Sequence, residues 1–424
     1  MLIFYSFALL LVLAVGAPWW LFRMATSGKY REGLSERLGF VPRPIRNRVA
    51  GASVVWIHAV SVGEVLAASR LVQELTQELA ERPGTWRVVI STTTLTGQKL
   101  ARERFGADRV FYFPLDFAFA VRAWLRLLEP RVLVLAETEF WPRMLVECRR
   151  ANVPVAVVNA RISDRSWPRY RRLAGIWRRL LSHLDVVLAQ TPVDSQRLQA
   201  MGAANVRVGG NLKFDVRATQ PAPVTAALRE HLAPGVRVLV CGSTLNGEEE
   251  MLLDAMPDGV VMILAPRHPE RFAAVAQLLQ RREIRWARRS EWLRNPVPIT
   301  PGTVFLLDSI GELASVYSLA EIAFVGGSLL LYGGHNPLEP AQFGVPILTG
   351  PSYENFRGIV ETLLAQQAIR VVEPQQLRTV LAEMFSDPAA SHAMGDRARR
   401  VFESEAGATA RSLDAILAIL EHRA

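Results

Sequence analysis

From residue 53 onward, short apolar runs alternate with stretches of helical periodicity. "SVVWIHAV", "RVVIS", "RVLVLAE", "VPVAVVNA" and "LDVVLAQT" are continuous enough to predict strands buried on both faces. Between them, "EVLAASRLVQELTQELAE" and "WPRMLVECRRA" carry apolar residues three and four apart, the spacing of amphipathic helices. The second half repeats the theme with "VRVLVCGS", "GVVMILAP", "TVFLLDS", "EIAFVGG" and "VPILTG". Strand–helix alternation predicts an α/β fold with helices on both faces of parallel sheets. The proline-rich stretch "FDVRATQPAPVTAALREHLAPG", 214–235, reads as a hinge between a first domain at 53–213 and a second at 236–424. The expectation is two Rossmann-like domains facing across a cleft, with ligands bound beyond the carboxyl ends of the strands.

The amino terminus breaks the pattern. "MLIFYSFALLLVLAVGAPWWLF" has no charged side chain before Arg23. As a helix rising ~1.5 Å per residue it spans roughly 33 Å, about a bilayer's hydrocarbon thickness. Residues 1–22 are therefore expected to be a membrane anchor. The basic segment 23–52, with Lys29, Arg31, Arg37, Arg43, Arg46 and Arg48, places the rest on the cytoplasmic side. Val15-Gly16-Ala17 also fits a signal-peptide cleavage site, but no Lys or Arg precedes the apolar run and the run continues past it.

At 424 residues the chain exceeds one comfortable core, and half of it is apolar, which excludes a disordered protein. Its net charge of +9 points to anionic company: lipid headgroups, nucleic acid or phosphorylated ligands. Cys148 and Cys241 lack metal-ligand or redox spacing and suit a reducing compartment. Seven arginines between Arg161 and Arg179 surround Trp167, Tyr170 and Trp177. This patch reads as a surface for anionic headgroups, with a solvated face and nucleic acid as the other readings.

Candidate chemistry sits at strand exits. Ser61-Val62-Gly63-Glu64 and Ser309-Ile310-Gly311-Glu312 both fit a helix capping box, so Glu64 can cap a helix or take a proton. Glu137 and Glu139 leave the strand ending "VLAE", as site carboxylates or as solvated ones. Lys213 closes the first half, and Arg267 and His268 follow a strong strand. In "FVGGSLLLYGGHNPLEPAQFGVPILTGP", two glycine pairs precede Asn336-Pro337-Leu338-Glu339. A helix starting there has free N–H groups for an anion, and its Glu339 can hold a ribose diol. No metal-ligand spacing, dinucleotide fingerprint or P-loop is present.

"HAVSVGEV", "AETEFWP", "NARIS", "GNLKFD", "PRHPERF", "GGS" and "GGHNPLEP" occur in this order, and together they resemble the 3-deoxy-D-manno-octulosonic acid (Kdo) transferases of lipopolysaccharide synthesis. The resemblance covers essentially the whole chain; "ETEFWPR" departs only in a phenylalanine where leucine is frequent. It implies a GT-B glycosyltransferase whose first domain binds the acceptor and whose second binds a CMP-sugar. It further implies Kdo transfer from CMP-Kdo to a lipid A precursor at the cytoplasmic face of the inner membrane, without a cofactor or metal. On this resemblance Glu64 is the general base, while Glu137 and Lys213 stabilise the transition state. CMP falls to Pro266, Arg267, Ile310, Gly311, Glu312, Asn336, Pro337, Leu338 and Glu339. The other readings are a GT-B enzyme using a different nucleotide sugar and a non-catalytic membrane-bound nucleotide or lipid binder. Nucleic acid is not an expected partner, because no matching module occurs.

Overall fold

The computed structural model describes residues 2–27, 32–164, 166–216 and 221–422. Lys29 and Arg31 of the basic segment, Arg165 of the arginine-rich segment and 217–220 of the expected hinge lie outside the described residues. The chain divides into two compact units, one of Met1–Val216 with Ala406–Ala424 and one of Arg217–Glu405. The last stretch, given on sequence to the second domain, therefore belongs with the first.

In the first unit, strands β1 (Ser53–His58), β2 (Trp86–Thr92), β3 (Val110–Tyr112), β4 (Pro130–Ala136), β5 (Val155–Ala160), β6 (Val186–Ala189) and β7 (Val206–Val208) form one sheet in the order β3-β2-β1-β4-β5-β6-β7. Every pairing is parallel. Side chains alternate across it, which is why β1 reads as a solid apolar run. Val54 and Trp56 enter a core with Trp124, Leu133 and Met144, beneath the helices Ala118–Leu128 and Pro142–Arg150. Val55 and Ile57 enter the opposite core with Leu71, Leu75, Ile416 and Leu420. Those last four come from the helices Val62–Ala80 and Ala408–Glu421, so the chain's final helix closes the first unit's second face.

In the second unit, β8 (Arg237–Thr244), β9 (Val260–Pro266), β10 (Trp286–Arg288), β11 (Val304–Leu306), β12 (Ile322–Val325), β13 (Ile347–Thr349) and β14 (Arg370–Val371) are ordered β10-β11-β9-β8-β12-β13-β14, again parallel. Gly242 on β8 has no alternative, since a Cβ there would lie 2.0 Å from the Tyr317 hydroxyl. The strand order turns beside the first strand of each sheet, at β1/β4 and at β8/β12, and the second sheet also inserts β11 between β10 and β9. Such switch points open a crevice at the carboxyl ends of their strands, and the candidate residues cluster around them.

The first helix runs Leu2–Ser27 and exposes Phe4, Phe7, Leu10, Leu11, Val12, Val15, Trp19 and Phe22. Among the described residues no helix is long and apolar enough to cross a membrane, so the expected anchor is not shown. The arginine-rich segment folds into helices Trp167–Arg172 and Ala174–Leu181. Its aromatics pack inward, Trp167, Tyr170 and Trp177 against the first unit's core, while Arg169, Arg171, Arg172, Arg178 and Arg179 face out beside exposed Leu173 and Ile176.

Candidate active site

At the first unit's switch point, β1 ends and Ser61 becomes the N-cap of the helix Val62–Ala80. The expected reciprocal capping box does not form, because the Ser61 side chain accepts no helix N–H. The Glu64 carboxylate instead turns back: Oε2 accepts the Val60 N–H at 2.7 Å and Oε1 accepts the Ser61 hydroxyl at 2.8 Å. Val60 is itself fixed, since its carbonyl accepts the N–H groups of Thr93 and Thr94, each at 3.1 Å. A Cβ added at Gly63 would meet only the Ser61 hydroxyl, at 3.9 Å, so that flank is open.

Glu64 is 8% exposed. Burial pushes its pKa up to about 7, with Glu137 and Glu139 adding to the rise and the Val60 N–H and Ser61 hydroxyl opposing it. A helix N-terminus favours the ionised form of a carboxylate. Desolvation outweighs it here.

Glu137 follows β4, the strand beside β1, in a left-handed conformation with φ 64°. Burial raises its pKa, while Lys213 and Arg161 pull it down. Glu139 is raised by burial and by Glu137. Lys213 sits on the 3₁₀ turn Leu212–Asp215, just beyond β7. Its N–H donates to Asn211 Oδ1 at 3.0 Å, and the Asp215 carboxylate accepts the N–H groups of Gly407 and Thr409 at 2.6 and 2.5 Å. Glu64, Glu137, Glu139 and Lys213 thus share one electrostatic neighbourhood, although they are widely spaced in sequence. A cavity of about 690 Å³ lined by Arg122, Arg126, Arg131 and Arg150 lies instead at the amino ends of β1 and β4, the wrong end of the sheet for this chemistry.

In the second unit, β9 delivers Pro266 and exposed Arg267, whose N–H donates to the Thr244 carbonyl at 3.0 Å. Its neighbour β11 leads to Ile310, 61% exposed, and to Gly311 with φ 88°. Glu312 accepts the Ser309 hydroxyl and, at 2.6 Å, Arg289 Nη2. It is the N-cap of the one-turn helix Leu313–Val316 rather than its third residue, so no capping box forms here either.

The expected anion-binding helix after Asn336 is also a single turn, Leu338–Ala341, with Pro337 as its N-cap. Pro337 and Pro340 each lack an N–H, so little macrodipole remains to hold a phosphate. Asn336 Oδ1 accepts the Leu338 N–H at 3.2 Å. Glu339 is pushed up to about 7 by burial, against Arg267 and a hydrogen bond with Asn336. His335 falls to about 4 through burial and through Arg267 and His268, and is neutral at pH 7. Arg267, His335, Asn336 and Glu339 form one group.

The Gly326-Gly327 turn, the first of the two glycine pairs, follows β12. Its N–H groups are taken: fully buried Glu248 accepts from Gly327, Ser328 and Leu329 at 2.7, 2.8 and 2.9 Å, and from Leu245 at 2.8 Å. Sequence reasoning missed Glu248 and Arg289. The first hid in the acidic run Glu248-Glu249-Glu250, and nothing local marked the second.

Two parallel seven-stranded α/β sheets, with candidate residues beyond the carboxyl ends of their strands, make a GT-B-like fold. Acinetobacter baumannii MurG, 13% identical, has this fold, with a TM-score of 0.52 over 82% of this chain and 95% of that one. Residues 32–216 match the 3-deoxy-D-manno-octulosonic-acid transferase (kdotransferase) family model. The chain is 33% identical to a 3-deoxy-D-manno-octulosonic acid transferase of Haemophilus influenzae, over 93% of both chains. It is 34% identical to that of Bordetella pertussis, over 95% of this chain and 92% of the other. The chain belongs to the Kdo transferase family.

Proposed function

We propose that the chain transfers Kdo from CMP-Kdo to the disaccharide of a lipid A precursor, without a metal ion, and that Glu64 is the general base. The observation that carries this reading is the Glu64 carboxylate, fixed by Val60 and Ser61 beside an open flank and poised at about 7. A base with a pKa near the working pH combines availability with driving force. It takes the proton of the acceptor hydroxyl as that oxygen attacks the anomeric carbon and the bond to the CMP phosphate breaks. Positive charge develops on the sugar ring, which Glu137 offsets, and negative charge on the departing phosphate, which Lys213 offsets.

For the nucleotide, Arg267 offers a bidentate fork to the single phosphate, and the neighbouring Glu339 suits the ribose hydroxyls. Ile310, Gly311 and Glu312 present loop backbone to the base, beside Pro266 on the adjacent strand. Fixed cations supply the charge that Mg²⁺ supplies to other nucleotide-sugar enzymes. The test is transfer of labelled Kdo from freshly generated CMP-Kdo to a tetraacylated lipid A precursor, with and without EDTA. Transfer that persists in EDTA is expected. No transfer to a competent acceptor, with a UDP-sugar raising the melting temperature where CMP does not, would point to another donor.

The same reading places the protein on the cytoplasmic face of the inner membrane. The 26-residue first helix, apolar on its exposed face, reaches roughly 39 Å, and the outward arginines with Leu173 and Ile176 suit anionic headgroups. Removing residues 1–22 is expected to release the protein into the soluble fraction. Reversing Arg169, Arg171 and Arg172 together is expected to weaken binding to anionic vesicles at least ~10²-fold at low salt, at about 1 kcal/mol per basic residue. Vesicle binding unchanged by either alteration would remove the membrane assignment.

A further inference from the structure

We infer that Asn159 is a positioning residue that locks the carboxylate of Glu137 to the turn carrying Lys213. Asn159 is 2% exposed and sits where the β5–β6 pairing shifts register, in a left-handed conformation with φ 58°. Its Oδ1 accepts the Leu212 N–H at 3.1 Å, its Nδ2 faces Glu137 Oε1 at 3.5 Å, and its own carbonyl accepts Gln190 Nε2 at 3.0 Å. The amide orientation is fixed by chemistry: the oxygen must meet the Leu212 N–H, which leaves the NH₂ for the carboxylate.

Leu212 directly precedes Lys213, so one buried side chain joins the exit of β4 to the turn after β7. Glu137, also left-handed at φ 64°, is held from its other side by its N–H to the Val158 carbonyl at 2.9 Å. Two left-handed residues that are not glycine, one at the exit of β4 and one near the end of neighbouring β5, mark a backbone shaped for the site. Asn159 touches neither reacting atom. It sets the separation of two opposite charges that must each meet a different part of one transition state.

The inference rests on the role proposed above for Glu137 and Lys213, and the variants separate the two. Asn159→Gly keeps the left-handed backbone and removes the amide. Asn159→Asp keeps the acceptor for Leu212, loses the donor and adds a negative charge against Glu137, whose own electrostatic neighbours are Glu64, Glu139, Lys213 and Arg161. In the Kdo transfer assay with the full chain, Asn159→Gly is expected to lower kcat roughly 10²-fold, as misplaced catalytic groups do, with KM for CMP-Kdo nearly unchanged. Its effect should largely vanish in a Lys213→Ala background, the non-additivity of residues acting as a unit. Asn159→Asp should in addition move the rising limb of the pH profile to higher pH. Native kcat in a folded Asn159→Gly, or a full additional loss in the Lys213→Ala background, overturns the positioning role while leaving the charge roles standing. Native kcat in both Lys213→Ala and Glu137→Gln overturns those roles and this inference with them.

Discussion

Glutamine in place of Glu64 is expected to lower kcat for Kdo transfer by on the order of 10²–10⁴-fold, the usual contribution of a positioned general base. The substitution is well matched to the question because the pocket can accept it. The Val60 N–H still finds the amide oxygen, and the Ser61 hydroxyl can turn from donor to acceptor for the new NH₂. Loss of rate without loss of fold is therefore the expected pair of observations. In the native enzyme the rate should rise with pH through about 7, as the carboxylate gives up its proton. The variant should lack that limb. Full activity in Glu64→Gln would leave Glu64 holding the Val60 loop and nothing more.

A second readout needs no substrate. Glu64 goes from an ordinary 4.5 to about 7 on folding. The folded state thus holds the proton more tightly, and the stability this gives is complete below 4.5 and lost as pH rises through 7. A shift of that size corresponds to at most roughly 3 kcal/mol. Glutamine does not titrate, so the melting temperature of Glu64→Gln relative to the native chain should be higher at pH 8 than at pH 5. Burial of a carboxylate in its desolvated, ionised form is how a site trades stability for reactivity. A difference flat in pH would mean that Glu64 ionises at its ordinary value.

How much of this was legible beforehand follows from where each element sits. The ten interior strands announced themselves as apolar runs because both their faces are covered. The four that escaped notice, β3, β7, β10 and β14, are the edge strands, two or three residues long, and an edge needs no long run. The final helix was assigned to the wrong unit because amphipathic spacing shows that a helix packs, not what it packs on; Ile416 and Leu420 suit either sheet. Glu64, Glu137 and Lys213 were visible as residues at strand exits. Their meeting was not, since it depends on β1 lying beside β4, which no local pattern encodes. Asn159 looked like the polar end of a strand, and its register break appears only once β5 and β6 are paired.

The acidic run Glu248-Glu249-Glu250 shows the same limit and carries the largest expected loss of stability. Read as sequence it is a solvated helix start. Successive helical residues point about 100° apart, however, so the three meet three environments. Glu250 is exposed, and Glu249 accepts the Thr244 hydroxyl at 3.0 Å and Arg271 Nη2 at 2.9 Å. Glu248, with no exposure, gathers four backbone N–H groups from the exits of β8 and β12 and so shapes the glycine turn at the second switch point. Alanine there strands four backbone donors, at about 1–3 kcal/mol for each buried one left unsatisfied, and the second unit is expected to lose its fold. Glutamine is the informative variant: it keeps the shape but turns an NH₂ toward N–H groups that have nothing to accept. A loss of about 3–5 kcal/mol in urea unfolding is expected, the usual result of breaking a buried charged network, against less than about 0.5 kcal/mol for Glu250→Ala. Weaker CMP binding should accompany it, because Gly334 is tied to the same turn through its N–H to the Gly327 carbonyl at 2.7 Å, and the His335–Glu339 group follows directly. Unfolding midpoints equal in Glu248→Gln and the native chain would show that the turn holds its shape without the carboxylate.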